Sequence, residues 1–322
     1  MFAIYATHAA PDDPLSALKI GEQPEPAIRD GWLRVKVSHA SLNRHDIFTL
    51  RGITAHPEGI SFPMILGNDG AGVLDDGTQV VIYPMMGSDD WRGDETLDPQ
   101  WHIFSEFVPG IFADYAAVPK RNAIPLPAGL SALHASVLGT AWLTAYRALF
   151  TKSGLQPGQT LLVQGSSGGM STALIQLGRA AGFEVWATSR NEGRALAEKL
   201  GAHRTFHSDE KLPRKVQAVV DNVGQASWAH SFASVARGGT IVVLGGTTGF
   251  DVKLPLLPVL SEQITVCGSI MGTLQDMRGL VSFITAAGIT PEIGLVLPMK
   301  QAAEGFRSMW EGQTHGKIVF TR

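Results

Sequence analysis

Residues 160–164 form a short apolar run that leads into Gly165, Ser166, Ser167, Gly168 and Gly169, and then into Met170, Ser171 and Thr172. Small residues at such a turn let the backbone approach an anion. A helix starting there offers unpaired N–H groups and a partial positive charge. Glycine also suits a plain strand-to-helix turn, but here the context is fuller. A strand precedes, helical spacing follows, and a second apolar strand arrives about 20 residues on. The pattern points to a dinucleotide pyrophosphate. NAD sites usually end that second strand with a carboxylate that accepts from the ribose hydroxyls. This chain has Thr188, Ser189, Arg190 and Asn191 there, with no carboxylate before Glu192. Arg190 can pair with a 2′-phosphate and Ser189 can donate to it, which favours NADPH over NADH. The plainer reading of Arg190 is a solvated residue at a helix start.

The elements that would position this turn follow from periodicity. Segment 171–181 has helical spacing with Leu174, Ile175 and Leu177 inward, and 192–200 is a second helix closed by Gly201. Strands are predicted at 184–189, 218–221, 240–244 and 264–267, with a helix at 227–236. Apolar strands alternating with helices imply a parallel sheet covered on both faces. The first third reads differently. In 32–38, Leu33, Val35 and Val37 share one face and Arg34, Lys36 and Ser38 the other, as in a half-buried strand. Gly67, Gly70, Gly72 and Gly77 punctuate short strands over 66–81. The polar stretch 88–110 reads as a long loop able to cover a cleft, and 123–127 as an extended connector. Helices at 277–287 and 300–311 and a strand at 316–320 close the chain. The organisation predicted is a β-rich domain (1–128 and 273–322) interrupted by a doubly wound α/β domain (129–272).

Composition narrows the class. Of 322 residues, 44% are hydrophobic and 17% charged, which suits packed cores and excludes disorder as the main state. The charge sum of −3, without a basic run, argues against a sequence-independent grip on nucleic acid. The single cysteine, Cys267, excludes an intramolecular disulfide and any site needing two thiolates. The chain start lacks a basic region followed by an apolar one, and no apolar run approaches a membrane span of about 20 residues. A soluble, cytoplasmic protein that binds neither membrane nor nucleic acid is expected.

Several further stretches carry a resemblance. They are 41–46 with Arg51 and Gly52, 66–72 (Leu66, Gly67, Asn68, Asp69, Gly70, Ala71, Gly72), 139–146, 163–169, 221–224, 238–246 and 316–319. In these, and over nearly the whole chain, the sequence resembles the medium-chain dehydrogenase/reductase superfamily of zinc alcohol dehydrogenases and zinc-free quinone and enoyl reductases. The resemblance implies an α/β protein: a GroES-like β-barrel catalytic domain plus a Rossmann doubly wound parallel-sheet domain, with the active site between them. It also implies a homodimer through the sheet edge, here 264–269, because an apolar edge needs covering.

The departures are informative. Zinc-containing members carry cysteine where Asn43 stands, histidine where Asn68 stands, and a second cysteine where Thr140 stands. One cysteine cannot build their four-cysteine structural lobe. Neutral amides and a hydroxyl are poor zinc ligands, and His39, His45, Asp46 and Asp69 form no set with helical ligand spacing. No metal is expected, which places the chain nearest the zinc-free quinone oxidoreductase-like branch. Ser171 replaces the last glycine common in alcohol dehydrogenases, a change small enough for helix–strand packing to tolerate.

Without a Lewis acid, quinones and alkenes conjugated to a carbonyl are the substrates that accept hydride most readily, because negative charge moves onto an oxygen that donors can stabilise. By resemblance, Asn43 donates to substrate oxygen or contacts the nicotinamide ribose. His45, at the position of a proton-relay hydroxyl, either returns a proton to product or is a satisfied structural histidine. Asp46 completes the candidate catalytic set, chiefly by orienting the turn. Asn68, Tyr83, Trp91 and Trp142 are candidate pocket walls, although aromatics are more often core. The cofactor set is Arg44, Thr144, Ser166, Ser167, Gly168, Gly169, Met170, Ser171, Ser189, Arg190, Asn222, Leu244, Gly245, Gly246, Ser269, Met271, Gly272, Thr273 and Lys317. The function expected is NADPH-dependent, zinc-independent reduction of a quinone or α,β-unsaturated carbonyl compound. An alcohol or aldehyde dehydrogenase of the same superfamily, or a non-catalytic dinucleotide-binding sensor or structural protein, stand as alternatives, since fold alone does not fix function.

Overall fold

A computed structural model describes residues 1–54, 58–190 and 193–322. Asn191 and Glu192, which entered the reading of the second strand, lie outside the described residues. The chain divides into two compact units, one of Met1–Ala141, Thr273–Thr285 and Ile293–Arg322, the other of Trp142–Gly272 and Ala286–Glu292. Relative to the boundaries drawn from sequence, 129–141 groups with the first unit and 286–292 with the second.

The second unit is built on a six-stranded sheet in the order Arg204–His207, Glu184–Ser189, Thr160–Val163, Val216–Asp221, Val235–Val243, Thr265–Gly268. Every pairing is parallel. Thr160–Val163 is buried at every position, which is why it reads as an unbroken apolar run. The chain order of the strands reverses direction across the sheet between Thr160–Val163 and Val216–Asp221, the switch point where open α/β sheets bind ligands. Trp186, Phe206, Val219 and Ile241 fill one core of this unit.

The first unit centres on the eleven-residue strand Trp32–Leu42. It pairs antiparallel with Asp69–Leu74 and Tyr115–Pro119, and, near its C-terminal end, with Lys317–Thr321. The register sets Ser41 opposite Asp69 and Leu42 opposite Ile318. Residues far apart in sequence are thereby brought to the point where this strand gives way to the helix Arg44–Leu50. Beneath lies a core in which Phe112 meets Phe320 edge-on with centroids 5.3 Å apart, and Phe306 stacks on Phe320 at 6.1 Å.

Some elements differ from the sequence reading. The connector at 123–127 contains a strand, Ala123–Pro125, paired with Gln79–Ile82; its proline sits at a sheet edge, where no ladder N–H is needed. The strand Arg204–His207 was not anticipated, and the helix expected over 227–236 ends at Ser234 because Val235 opens the next strand. Within 88–110, His102–Ile103 pairs with Met85–Met86, and Ile103 and Phe104 are buried.

Candidate functional site

The helix Arg44–Leu50 starts immediately after Asn43, and the Asn43 backbone N–H donates to Asp46 Oδ2 at 2.8 Å. The other Asp46 oxygen accepts from the Gly67 N–H at 2.9 Å. Asp46 therefore ties the turn to the segment that carries Asn68 and Asp69. Burial pushes its carboxyl up to about 6, against the pull of those two N–H bonds. With both oxygens on backbone donors, Asp46 orients the turn.

Asn43 is 6% exposed and its amide is fully engaged. Nδ2 donates to Asp69 Oδ2 at 2.8 Å and to the Ser41 carbonyl at 3.3 Å, while Oδ1 accepts from Lys317 Nζ at 2.5 Å. Lys317 Nζ also donates to the Leu42 carbonyl at 2.9 Å and reaches Asp69 Oδ2 at 3.4 Å. Asp69, wholly buried, further accepts from Ser41 Oγ at 3.0 Å and, on Oδ1, from Thr140 Oγ1 at 2.5 Å. Burial lowers the Lys317 ammonium below its ordinary range, and the neighbouring Asp69 and Asp46 carboxylates oppose that shift.

Two residues assigned by resemblance are engaged within the chain. Both amide hydrogens of Asn43, assigned to a substrate oxygen or the nicotinamide ribose, are directed at the Asp69 carboxylate and the Ser41 carbonyl. Lys317, grouped by resemblance with the cofactor contacts, spends its three N–H bonds on acceptors of the chain.

Beside this cluster, His45 bridges two partners. Its Nε2 lies 3.2 Å from Glu106 Oε1 and its Nδ1 lies 2.9 Å from Asn68 Nδ2. Since the amide nitrogen only donates, Nδ1 accepts and Nε2 carries the proton given to Glu106. The buried Asn68 Oδ1 has no partner in this arrangement. Glu106 also accepts from Thr54 Oγ1 at 3.0 Å. Burial alone would raise Glu106, but hydrogen bonds from His45, Thr54 Oγ1 and the Ile103 N–H together hold the carboxyl below its usual range. Glu106 was missed in sequence, where it is one acid in a polar stretch. Ser105, at φ 69°, and the bond from its N–H to the Val108 carbonyl make the tight turn that delivers it.

In the second unit the helix Gly169–Ala180 begins behind Gly168 with no side-chain cap and no acidic residue in its first turn. Its first N–H groups are thus left to a ligand anion. Gly165 has φ 83°, open only to glycine at low cost, and a Cβ on Gly168 would meet nothing within 4 Å. Ser166 Oγ donates to Ser189 Oγ at 2.8 Å, joining the turn to the end of the second strand. A Cβ on Gly193 would come within 2.3 Å of Ser166 Oγ and 2.7 Å of Ser189 Oγ. Arg190 is exposed beside them. At the neighbouring strand ends, Asn222 Nδ2 lies 3.5 Å from Ser171 Oγ, while Asn222 Oδ1 and Ser269 Oγ are buried polar atoms without partners. Leu244, Gly245 and Gly246 are half-buried, and Met271 is buried with φ 48°. Uncapped helix N–H groups and orphaned polar atoms at a switch point suit a dinucleotide.

The remaining candidates separate. Tyr83 and Trp142, expected as pocket walls, are buried in the cores of the first and second unit respectively. Trp91 is exposed and donates its indole N–H to the Asp94 carbonyl at 3.0 Å. Arg44 is exposed and Thr144 buried. Thr273 belongs to the first unit, where its N–H donates to Asp276 Oδ2 at 2.9 Å.

Comparison with known proteins agrees with this geometry. The family model "Alcohol dehydrogenase GroES-like domain" matches residues 29–128, and "Zinc-binding dehydrogenase" matches residues 169–286. The chain is 26% identical to an alcohol dehydrogenase of Geobacillus stearothermophilus, over 94% of this chain and 95% of that one. It is 23% identical to an acryloyl-coenzyme A reductase of Sulfurisphaera tokodaii, over 95% and 97% respectively. The crystal structure of an NAD-dependent alcohol dehydrogenase matches with a TM-score of 0.92 at 28% identity, covering 100% of both chains. With one model on the antiparallel unit and the other along the parallel sheet, the chain belongs to the medium-chain dehydrogenase/reductase superfamily of oxidoreductases.

Proposed function

We propose that this oxidoreductase is an NADPH-dependent, metal-independent reductase of quinones or of alkenes conjugated to a carbonyl, enoyl thioesters included. The observation that carries this reading is the closed network around Asp69. Superfamily members named for zinc raise the question of a bound ion, and the donor set does not suit one. The Asn43 oxygen is taken by an ammonium, the Thr140 hydroxyl donates to Asp69, and Asn68 is a neutral amide. Among the described residues no group of three or more His, Cys, Asp or Glu could hold a metal ion.

When bound, the dinucleotide supplies a hydride to the substrate. The chain's own part is binding and proton management. The N–H groups at the start of Gly169–Ala180, with Ser166 and Ser167, suit the pyrophosphate, and Arg190 with Ser189 suits a 2′-phosphate. Asn222, Gly245, Gly246 and Ser269 suit the nicotinamide end. His45 is the partly exposed titratable ring of its cluster, and we assign to it the proton returned to product. A second proton, on Nδ1, would need an acceptor, and turning the Asn68 amide would present the unpartnered Oδ1. The acryloyl-coenzyme A reductase similarity supports the enoyl class.

The alcohol dehydrogenase similarities favour a second reading, alcohol oxidation within the same superfamily. One assay separates them: NADPH oxidation with enones, enoyl thioesters and quinones, against NADP reduction with alcohols. Turnover with the first panel and none with the second is expected; the reverse would refute the proposal. In the same assay Arg190→Ala should raise the KM for NADPH at least about tenfold and leave that for NADH unchanged, since a phosphate contact of charge-assisted strength is lost. Equal effects on both would remove the phosphate role.

We also propose a homodimer through the sheet edge Thr265–Gly268. Phe250, Leu256, Leu257 and Leu260 of the same unit are all more than 70% exposed, an apolar surface that a partner subunit would cover.

A further inference from the structure

We propose that a buried hydrogen-bond chain through Thr188, Gln164, Ser231 and Asp221 shapes the dinucleotide seat before the ligand arrives, with Thr188 and Gln164 as positioning residues for NADPH and NADH alike. The proposal rests on the reading of the glycine turn as a dinucleotide site and deepens it. The sheet register assembles the chain. Val163 pairs with Ala187 on one side and with Val220 on the other. One residue further on, at three adjacent strand ends, stand Gln164, Thr188 and Asp221. Ser231 joins them from the helix Trp228–Ser234. Gln164 and Thr188 are 1% exposed, and Asp221 and Ser231 are wholly buried.

The bonds run in one direction. The Gly165 N–H donates to Thr188 Oγ1 at 3.0 Å, and that hydroxyl donates to Gln164 Oε1 at 2.8 Å. Gln164 Nε2 donates to Ser231 Oγ at 3.0 Å and to His230 Nδ1 at 2.9 Å, and Ser231 Oγ donates to Asp221 Oδ2 at 2.7 Å. A backbone N–H cannot accept and a carboxylate cannot donate, so the two ends fix every hydrogen between them and the orientation of the Gln164 amide. Asp221 Oδ1 in turn accepts from the Val223 and Gly224 N–H groups at 2.9 and 3.0 Å. Gly224, at φ 89°, packs so closely on the next strand end that a Cβ would come within 2.7 Å of Gly246 Cα. The chain thereby ties Gly165, in the turn suited to pyrophosphate, to the Gly246 region suited to the nicotinamide end. Losing any link leaves a buried polar atom unpaired, and the turn relieves that by moving. A turn that has moved must be reordered when the dinucleotide binds, so the cost appears in affinity.

The test is fluorescence titration of the full-length protein with NADPH and with NADH, with circular dichroism establishing that each variant is folded. Thr188→Val keeps the side-chain shape and removes the hydroxyl. It should raise both dissociation constants at least about tenfold, the scale of one buried hydrogen bond. The factor should be the same for both nucleotides, which separates this role from that of Arg190. Thr188→Ser restores the hydroxyl and should recover wild-type affinity to within about twofold. Ser231→Ala cuts the chain beyond Gln164, away from the turn, and should weaken both nucleotides about threefold or more; it decides the matter if Thr188→Val does not fold. Wild-type affinity in a folded Thr188→Val or Ser231→Ala variant, or an equal loss in Thr188→Val and Thr188→Ser, overturns the inference. A wild-type protein that binds neither nucleotide would instead remove the dinucleotide reading itself.

Discussion

Asp69→Asn is expected to lower the unfolding free energy by about 3–5 kcal/mol, because it strands the Lys317 ammonium in a site with almost no water access. Lys317→Met should cost about as much, for the opposite reason: the Asp69 carboxylate keeps two hydroxyls and an amide but loses its counter-charge. The double variant should lie within about 1 kcal/mol of the less damaging single variant, since no buried charge of the pair is then left unmatched. Guanidinium unfolding followed by tryptophan fluorescence reports all three. Single-variant losses that simply add in the double variant would mean that the two residues do not act as a pair.

Gly67→Ala is expected to cost about 3 kcal/mol or more. Gly67 has φ 99°, where a side chain is strained, and its Cβ would stand 2.3 Å from Phe112 Cδ1 in the packed core. The ring cannot give way easily, because Phe112 is locked edge-on against Phe306 and Phe320. The backbone shift that would relieve the clash would also pull the Gly67 N–H away from Asp46 Oδ1 and displace the Asn43 turn. The variant should therefore lose both melting temperature and turnover. A melting temperature within 1–2 °C of wild type, where a loss of this size predicts several times that, would show that the loop yields without cost.

The parallel sheet was legible in the sequence because its strands are buried on both faces and its helices alternate with them. Thr160–Val163 and the glycines after it carry that information locally. Arg204–His207 escaped notice because it is a short edge strand, exposed at both ends, with no apolar alternation to mark it. The segment Ala123–Pro125 was read as a connector because a proline disfavours helix and central strand alike, leaving edge strand and loop indistinguishable.

In the site, Asn43, His45, Asp46 and Asn68 could be named from spacing and resemblance, because they lie on two short adjacent segments. Their partners could not. Glu106 reaches His45 only through the positive-φ turn at Ser105, and no periodicity announces such a turn. Lys317 was grouped with the cofactor contacts by resemblance alone. Its true neighbours depend on the pairing of Lys317–Thr321 with Trp32–Leu42, a register that only tertiary structure sets. Tyr83 and Trp142 were likewise read as walls when their bulk fills the cores.

The central claim is that reduction proceeds here without a coordinated metal ion. Its most direct test is metal analysis of the purified wild-type protein, joined to NADPH-dependent enone reduction measured before and after exhaustive chelation. The account predicts less than about one-tenth of an equivalent of zinc, as poor amide and hydroxyl ligands imply, and turnover unchanged by the chelator. One equivalent of zinc, with activity lost on chelation and restored by the metal, would contradict it.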